Sequence, residues 1–148
     1  MKRRFLLSIL LSLMALPLLA QKGMAIQELF DGRYKDRQGA TEVLVKGRKL
    51  KPYGLTLFRS LTFRPSKAEI QRIEQLVRTD ARRASDKDTD TQNGRLFYGF
   101  YGFPPTDGRY CYLFYRNDGA RSGRLTELTV VYMEGTATAE QLKRMFSK

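Results

Sequence analysis

Three apolar runs follow one another in the second half of the chain: RLFYGFYGF (residues 95–103), RYCYLFYRN (109–117) and RLTELTVVYME (124–134). All three are rich in aromatic and β-branched residues, which favour strands. The connections between them, PPTDG (104–108) and DGARSG (118–123), consist largely of turn-forming residues. Three successive strands joined by short turns predict an antiparallel meander.

A helix is predicted upstream of this meander. Ser66 and Glu69 form an S-x-x-E capping box, which marks a helix N-terminus. Apolar residues then recur at helical spacing and form one stripe: Ile70, Ile73, Leu76, Val77, Ala81 and Ala84. The pattern predicts an amphipathic helix that ends near Ser85, followed by a polar loop over residues 86–94.

Four weaker signals complete the expected order of elements. They predict a helix over residues 24–30, a strand over 41–46, a strand over 58–63 and a last helix that begins at Thr138. The last helix is favoured by a T-x-x-Q box at Thr138 and Gln141. We therefore expect an α+β fold, a two-layer sandwich in which the helices pack on one face of an antiparallel sheet.

Residues 1–20 have the pattern of a secretory signal peptide. The basic stretch Lys2-Arg3-Arg4 precedes an apolar run from Phe5 to Leu19, and the small residue Ala20 follows. We expect cleavage after Ala20, a single α+β domain over residues 21–148, and a soluble periplasmic or secreted protein.

The alternative for the same segment is an uncleaved membrane anchor. A helix that crosses a bilayer needs roughly 20 apolar residues. The run from Phe5 is shorter and is interrupted by Ser8, Ser12 and Pro17. The sequence therefore favours a removed signal peptide, and no membrane-spanning segment is expected in the mature chain.

Short strings along the chain resemble those of small exported Bacteroides-type proteins of unknown function. The strings are ELFD (28–31), TEVLV (41–45), VVYMEG (130–135) and LKRMF (142–146), with Gln21 after the expected cleavage site. The resemblance covers most of the mature chain. It implies export and an α+β fold, and it implies no activity.

The residue types present exclude several kinds of chemistry. The chain has no histidine and a single cysteine, Cys111, so it offers no Ser-His-Asp triad and no typical zinc ligand set. Asp86, Asp88 and Asp90 have the spacing that opens a calcium loop. Thr91 and Phe97, however, stand where such a loop needs Gly and Glu. No cofactor and no metal site is predicted.

An enzyme would have to depend on carboxylates alone. The alternative function is therefore a small carboxylate-dependent hydrolase, with Asp31, Asp36 and Glu127 as the acidic residues considered. Isolated acidic residues in turns are typical of a solvated surface. The sequence favours a protein that is not an enzyme.

Basic residues dominate the charge of the chain. It carries 27 Lys and Arg against 15 Asp and Glu, a net charge of +12. The densest run contains Lys46, Arg48, Lys49 and Lys51, and we predict that these side chains bind an anion. For an exported protein the expected partner is an anionic glycan, a lipid head group or an envelope protein, and no nucleic acid is expected. The alternative is a solvated turn.

Aromatic residues are dense along the first two strands of the predicted meander. Strand alternation places Phe97, Tyr101, Cys111, Leu113 and Tyr115 on one face, and Leu96, Tyr98, Phe100, Tyr110, Tyr112 and Phe114 on the other. With helices on one face only, Tyr98 and Tyr112 would be open to a sugar or a partner protein. The alternative is that both faces are covered and the tyrosines belong to the core.

Overall fold

A computed structural model describes residues 23–146, so the predicted signal segment lies outside the described residues. The elements, in chain order, are the 3-10 helix η1 (Ala25–Phe30), β1 (Thr41–Lys46), the 3-10 helix η2 (Arg48–Tyr53), β2 (Leu55–Phe63), α1 (Lys67–Ala81), β3 (Asp86–Gln92), β4 (Arg95–Gly102), β5 (Tyr110–Asn117), α2 (Gly119–Ser122), β6 (Leu128–Gly135) and α3 (Ala139–Phe146).

The six strands form one antiparallel sheet in the order β1-β2-β6-β5-β4-β3. Strands β4, β5 and β6 are the predicted meander. Strand β6 also pairs with β2, where Leu61 lies opposite Val130. The N-terminal hairpin β1-β2 is thereby joined to the meander. The α+β class, the antiparallel sheet and the meander are confirmed.

The segment after α1 is a strand, and the predicted loop over residues 86–94 was wrong. Strand β3 pairs with β4 along its whole length, for example Asp88 with Phe100. The segment alternates acidic and other polar residues, and its middle is exposed to solvent. It therefore lacks the apolar alternation that reveals a half-buried strand. Charged residues along a sheet edge also oppose pairing with other chains.

One face of the sheet is covered by α1 and η1. Ile73 and Val77 of α1 are fully buried there against Leu61, Leu113 and other inward residues of the strands. The predicted capping box starts α1: the Glu69 amide donates to Ser66 Oγ (3.2 Å), and the Ser66 amide donates to Glu69 Oε1 (3.0 Å). Five residues of the predicted apolar stripe form the buried face of α1: Ile70, Ile73, Leu76, Val77 and Ala81. The helix ends at Ala81, earlier than predicted, so Ala84 lies beyond it and is partly buried.

The other face of the sheet is covered by α3 and η2. Leu142 of α3 and Leu50 of η2 pack with Phe100, Phe114 and Met133. The helices therefore lie on both faces, which differs from the expected arrangement on one face. The reason is that β5 and β6 carry apolar residues at consecutive positions, so both of their faces need cover.

A β-bulge in β4 alters the predicted division of the aromatic residues. Asp90 pairs with Tyr98 and Thr91 pairs with Leu96, so Phe97 is an extra residue in the ladder. Leu96 consequently packs in the cluster under α1 and not with Tyr98, where strict alternation placed it. Beyond the bulge the alternation holds.

Candidate functional site

The basic run forms a short, well-anchored turn between β1 and β2. Gly47 (φ +87°) and Gly54 (φ +69°) adopt left-handed conformations on either side of η2, which glycine tolerates best. Between them the side chain of Leu50 is buried. The four neighbouring cations, Lys46, Arg48, Lys49 and Lys51, are exposed. We call these four residues the basic turn.

The charges of the basic turn have no ion-pair partner among the described residues. Elsewhere, arginines are engaged by carboxylates: Arg37 lies 2.6 Å from Glu69, and Arg72 lies 2.7 Å from Glu28. Hydrogen bonds from these arginines hold the pKa of both glutamates below the usual range. Among residues 23–146 none of the four side chains of the basic turn forms an ion pair. They are therefore free to meet an external anion.

An apolar groove of about 280 Å³ lies directly beside the basic turn. It is lined by Leu50, Tyr53, Leu55, Phe58, Met133, Met145 and Phe146. Tyr53 and Met145 are 55% and 42% exposed, although both are large apolar side chains. The groove was not apparent from the sequence because it joins η2, β2, β6 and the end of α3, which are far apart along the chain.

A more polar depression of about 560 Å³ adjoins the apolar groove. Lys51, Thr136 and Gln141 line it, and it shares Tyr53 and Met145 with the groove. Gln141 is fixed by the predicted T-x-x-Q box, in which its Oε1 accepts a hydrogen bond from the Thr138 amide (2.9 Å). One residue of the basic turn therefore lines a concave polar surface.

Tyr112 does not lie on an open surface. It is 3% exposed, and its hydroxyl donates a hydrogen bond to the Ala137 carbonyl (2.7 Å). Burial raises the pKa of Tyr112 to about 12. The expected open tyrosine face is absent at this position because the segment leading into α3 covers it.

Tyr98 is partly buried on the same face. Its ring meets Phe114 edge-on, with the ring centroids 5.6 Å apart. Neither Tyr98 nor Tyr112 lines the apolar groove or the polar depression. The structure thus groups the four basic candidates on one turn and separates the two tyrosines from them.

The carboxylates considered for a hydrolase come from separate segments. Asp31 follows η1 and is held by Arg33, whose hydrogen bonds lower the pKa of the aspartate. A carboxyl group with a lowered pKa is a poor general acid. Asp36 lies in the turn region before β1, and Glu127 immediately precedes β6.

Residues 23–146 offer neither a cluster of metal ligands nor a membrane-spanning helix. In that part of the chain no group of three Cys, Asp or Glu side chains is arranged to hold a metal ion. No helix there is both long enough and apolar enough to span a bilayer.

A second cleft also has basic walls. It measures about 390 Å³ and brings together Lys67, Arg95 and Arg124 with the amides of Asn93 and Asn117. The Arg95 guanidinium lies 3.8 Å from the Glu74 carboxylate, which offsets part of the positive charge. This cleft was not apparent in the sequence because its cations come from three separate segments.

The fold and the excess of basic residues define a small basic α+β domain. A family model described as a family of unknown function (DUF6108) matches residues 13–146. The chain belongs to this family, which confirms the expected membership of an uncharacterised family. Neither the curated proteins nor the solved structures include a match to the chain.

Proposed function

We propose that the chain is an exported binding protein, without enzymatic activity, that holds the anionic groups of a glycan or of lipid head groups at the basic turn. The observation that carries this proposal is the presence of four exposed cations within six residues of a turn anchored by Leu50, none of which forms an ion pair with another residue of the range 23–146. Export rests on the signal-peptide pattern of residues 1–20. The groups bound are the phosphates or sulfates of a lipid surface or a glycan.

The arrangement suits multivalent electrostatic binding. Charges crowded on one turn add their potentials and raise the local concentration of anions. Arg48 offers a planar fork of donors that matches an oxyanion, and the lysines act as compact point charges. Because the four side chains form no ion pair within the part of the chain that the structure describes, binding breaks no ion pair there.

The test compares two variants of equal charge. In one, Lys46, Arg48, Lys49 and Lys51 are all replaced by Ser. In the matched control, four other exposed basic residues without ion pairs are replaced by Ser: Lys35, Arg64, Arg82 and Lys87. Binding is measured to immobilised heparin and to phosphatidylglycerol vesicles over a range of salt concentrations.

We expect the basic-turn variant to lose binding and the control variant to retain most of it. Wild-type binding should weaken steeply with salt, since exposed charges are screened. If the wild-type chain binds heparin and not the vesicles, the bound partner is a glycan. If it binds the vesicles and not heparin, the bound partner is a lipid surface. Equal losses in both variants would mean that net charge, not the basic turn, causes binding, and would overturn the proposal.

A further inference from the structure

The apolar groove and the polar depression form one continuous concave surface. They meet at Tyr53 and Met145, which line both. Lys51 borders the depression, and Leu50, within the same turn, borders the groove. The apolar groove therefore opens directly into the polar depression, where Lys51 supplies a positive charge.

We propose that this surface binds a single-chain lipid with an anionic head group, its acyl chain in the apolar groove and its head group beside Lys51. The inference deepens the proposed function and rests on it, because it assigns the anion at the basic turn to an amphiphile. The groove gives specificity for the chain, and the cation gives specificity for the charge.

The groove has the properties that an acyl chain requires. All of its lining residues are apolar or aromatic, and Tyr53 and Met145 expose much of their surface to solvent. Covering such surface with methylene groups is favourable because it removes apolar area from water. Met145 is flexible and adapts to chains of different shape. Phe146 stacks on Phe114 (4.8 Å between centroids), which gives the groove a firm wall.

Charge complementarity selects an anionic occupant over other apolar ones. The N-terminal segment of the chain is apolar but carries Lys2, Arg3 and Arg4, which the basic turn would repel. The described chain also starts at the other face of the sheet, where the Gly23 carbonyl accepts a hydrogen bond from Arg83. A second copy would bring its own basic turn. An anionic lipid carries the opposite charge to the basic turn, so it is attracted where these occupants are repelled.

The experiment measures binding of three soluble probes by calorimetry below their micelle concentrations. Lysophosphatidate supplies both chain and anion, glycerol 3-phosphate supplies the anion alone, and lysophosphatidylcholine supplies a similar chain without net charge. We expect lysophosphatidate to bind at least about tenfold more tightly than either of the others, because glycerol 3-phosphate lacks the chain and the choline cation of lysophosphatidylcholine offsets the charge of its phosphate.

The variants replace exposed apolar side chains inside and outside the groove. The groove variant carries Tyr53→Ser and Met145→Ser, and its matched control carries Tyr110→Ser and Leu125→Ser, which remove exposed side chains elsewhere. We expect the groove variant alone to bind lysophosphatidate about tenfold more weakly, with heparin binding unchanged. Tyr53→Ser alone should give a smaller loss, and thermal unfolding verifies that each variant is folded.

The outcomes separate this inference from the proposed function. Heparin binding through the basic turn, without preference for lysophosphatidate over glycerol 3-phosphate, overturns the amphiphile and leaves the proposed function standing. Equal binding of lysophosphatidate and lysophosphatidylcholine overturns the assigned head group. Self-association that the groove variant abolishes would assign the groove to a second copy. Absence of all binding overturns both proposals.

Discussion

The Asp80 carboxylate accepts a hydrogen bond from the backbone amide of Ile26 (2.8 Å), a residue 54 positions earlier in the chain. Its second oxygen accepts from the Ala25 amide (2.7 Å). Asp80 lies in the last turn of α1 and is fully buried. The carboxylate satisfies amides at the start of η1 and so attaches η1 to α1.

Replacing Asp80 should therefore destabilise the domain. Asp80→Ala leaves two amides without an acceptor, and we expect the free energy of unfolding to fall by roughly 3 kcal/mol. Asp80→Asn keeps one acceptor oxygen, so its free energy of unfolding should fall by less. Urea denaturation measures both, with the exposed Asp88→Ala as control. A change for Asp80→Ala as small as that of the control would contradict this role.

The buried face of α1 gives a second prediction. Leu76 is buried in the cluster between α1 and the sheet. Leu76→Ala should lower the free energy of unfolding by roughly 2–5 kcal/mol, the usual range for truncation in a core. Gln71→Ala, on the exposed side of the same helix, should change it by less than about 0.5 kcal/mol. Similar changes in the free energy of unfolding for the two variants would show that the buried face of α1 is misassigned.

Tyr112 links stability to alkaline pH. Burial raises its pKa from 10.0 to about 12. The contribution of the neutral side chain to the free energy of unfolding is therefore complete below pH 10.0, and it is lost as the pH rises through the pKa of the folded state. In Tyr112→Phe the free energy of unfolding should fall less steeply as the pH rises through this alkaline range, as measured by urea denaturation. The loss should not vanish, because burial also raises the pKa of Tyr115 and Tyr132.

The same substitution has an effect at neutral pH. Tyr112→Phe removes the donor to the Ala137 carbonyl and should lower the free energy of unfolding by about 1 kcal/mol. Tyr110→Phe, at a neighbouring exposed ring, serves as the control. An unchanged alkaline slope in Tyr112→Phe would contradict the assigned titration.

Export predicts a defined mature N-terminus. Sequencing of the protein recovered outside the cytoplasm should begin at Gln21, in part as pyroglutamate. A variant lacking residues 2–20 should remain inside the cell, because it lacks the signal. Recovery of the intact chain, starting at Met1, from the membrane fraction would instead support the uncleaved anchor.

Local sequence patterns were sufficient for the elements whose signals are local. The capping box at Ser66 and Glu69, with the apolar stripe after it, predicted α1 within a few residues. The meander was predicted because its strands are apolar and its turns are short. Strand β3 was not predicted, since an edge strand pairs through its backbone and its polar side chains need no alternation.

The site was only partly predictable for a similar reason. The basic turn is contiguous in sequence, so the cluster of cations is visible there. Tyr53 and Met145 are distant in sequence and meet only because α3 packs on the face opposite α1. The burial of Tyr112 depends on the same packing. Aromatic alternation could not reveal it, because both faces of β5 are equally apolar.

The place of β6 in the sheet has a consequence for how the protein is made. Strand β6, which comes last among the described strands, lies between β2 and β5, so it is required to join the two halves of the sheet. Until residues 128–135 are available, both neighbouring strands keep an unpaired edge. Pairing of such distant segments also slows folding. The two parts of the sheet, β1-β2 and β5-β4-β3, therefore cannot be joined until β6 has paired with both of them.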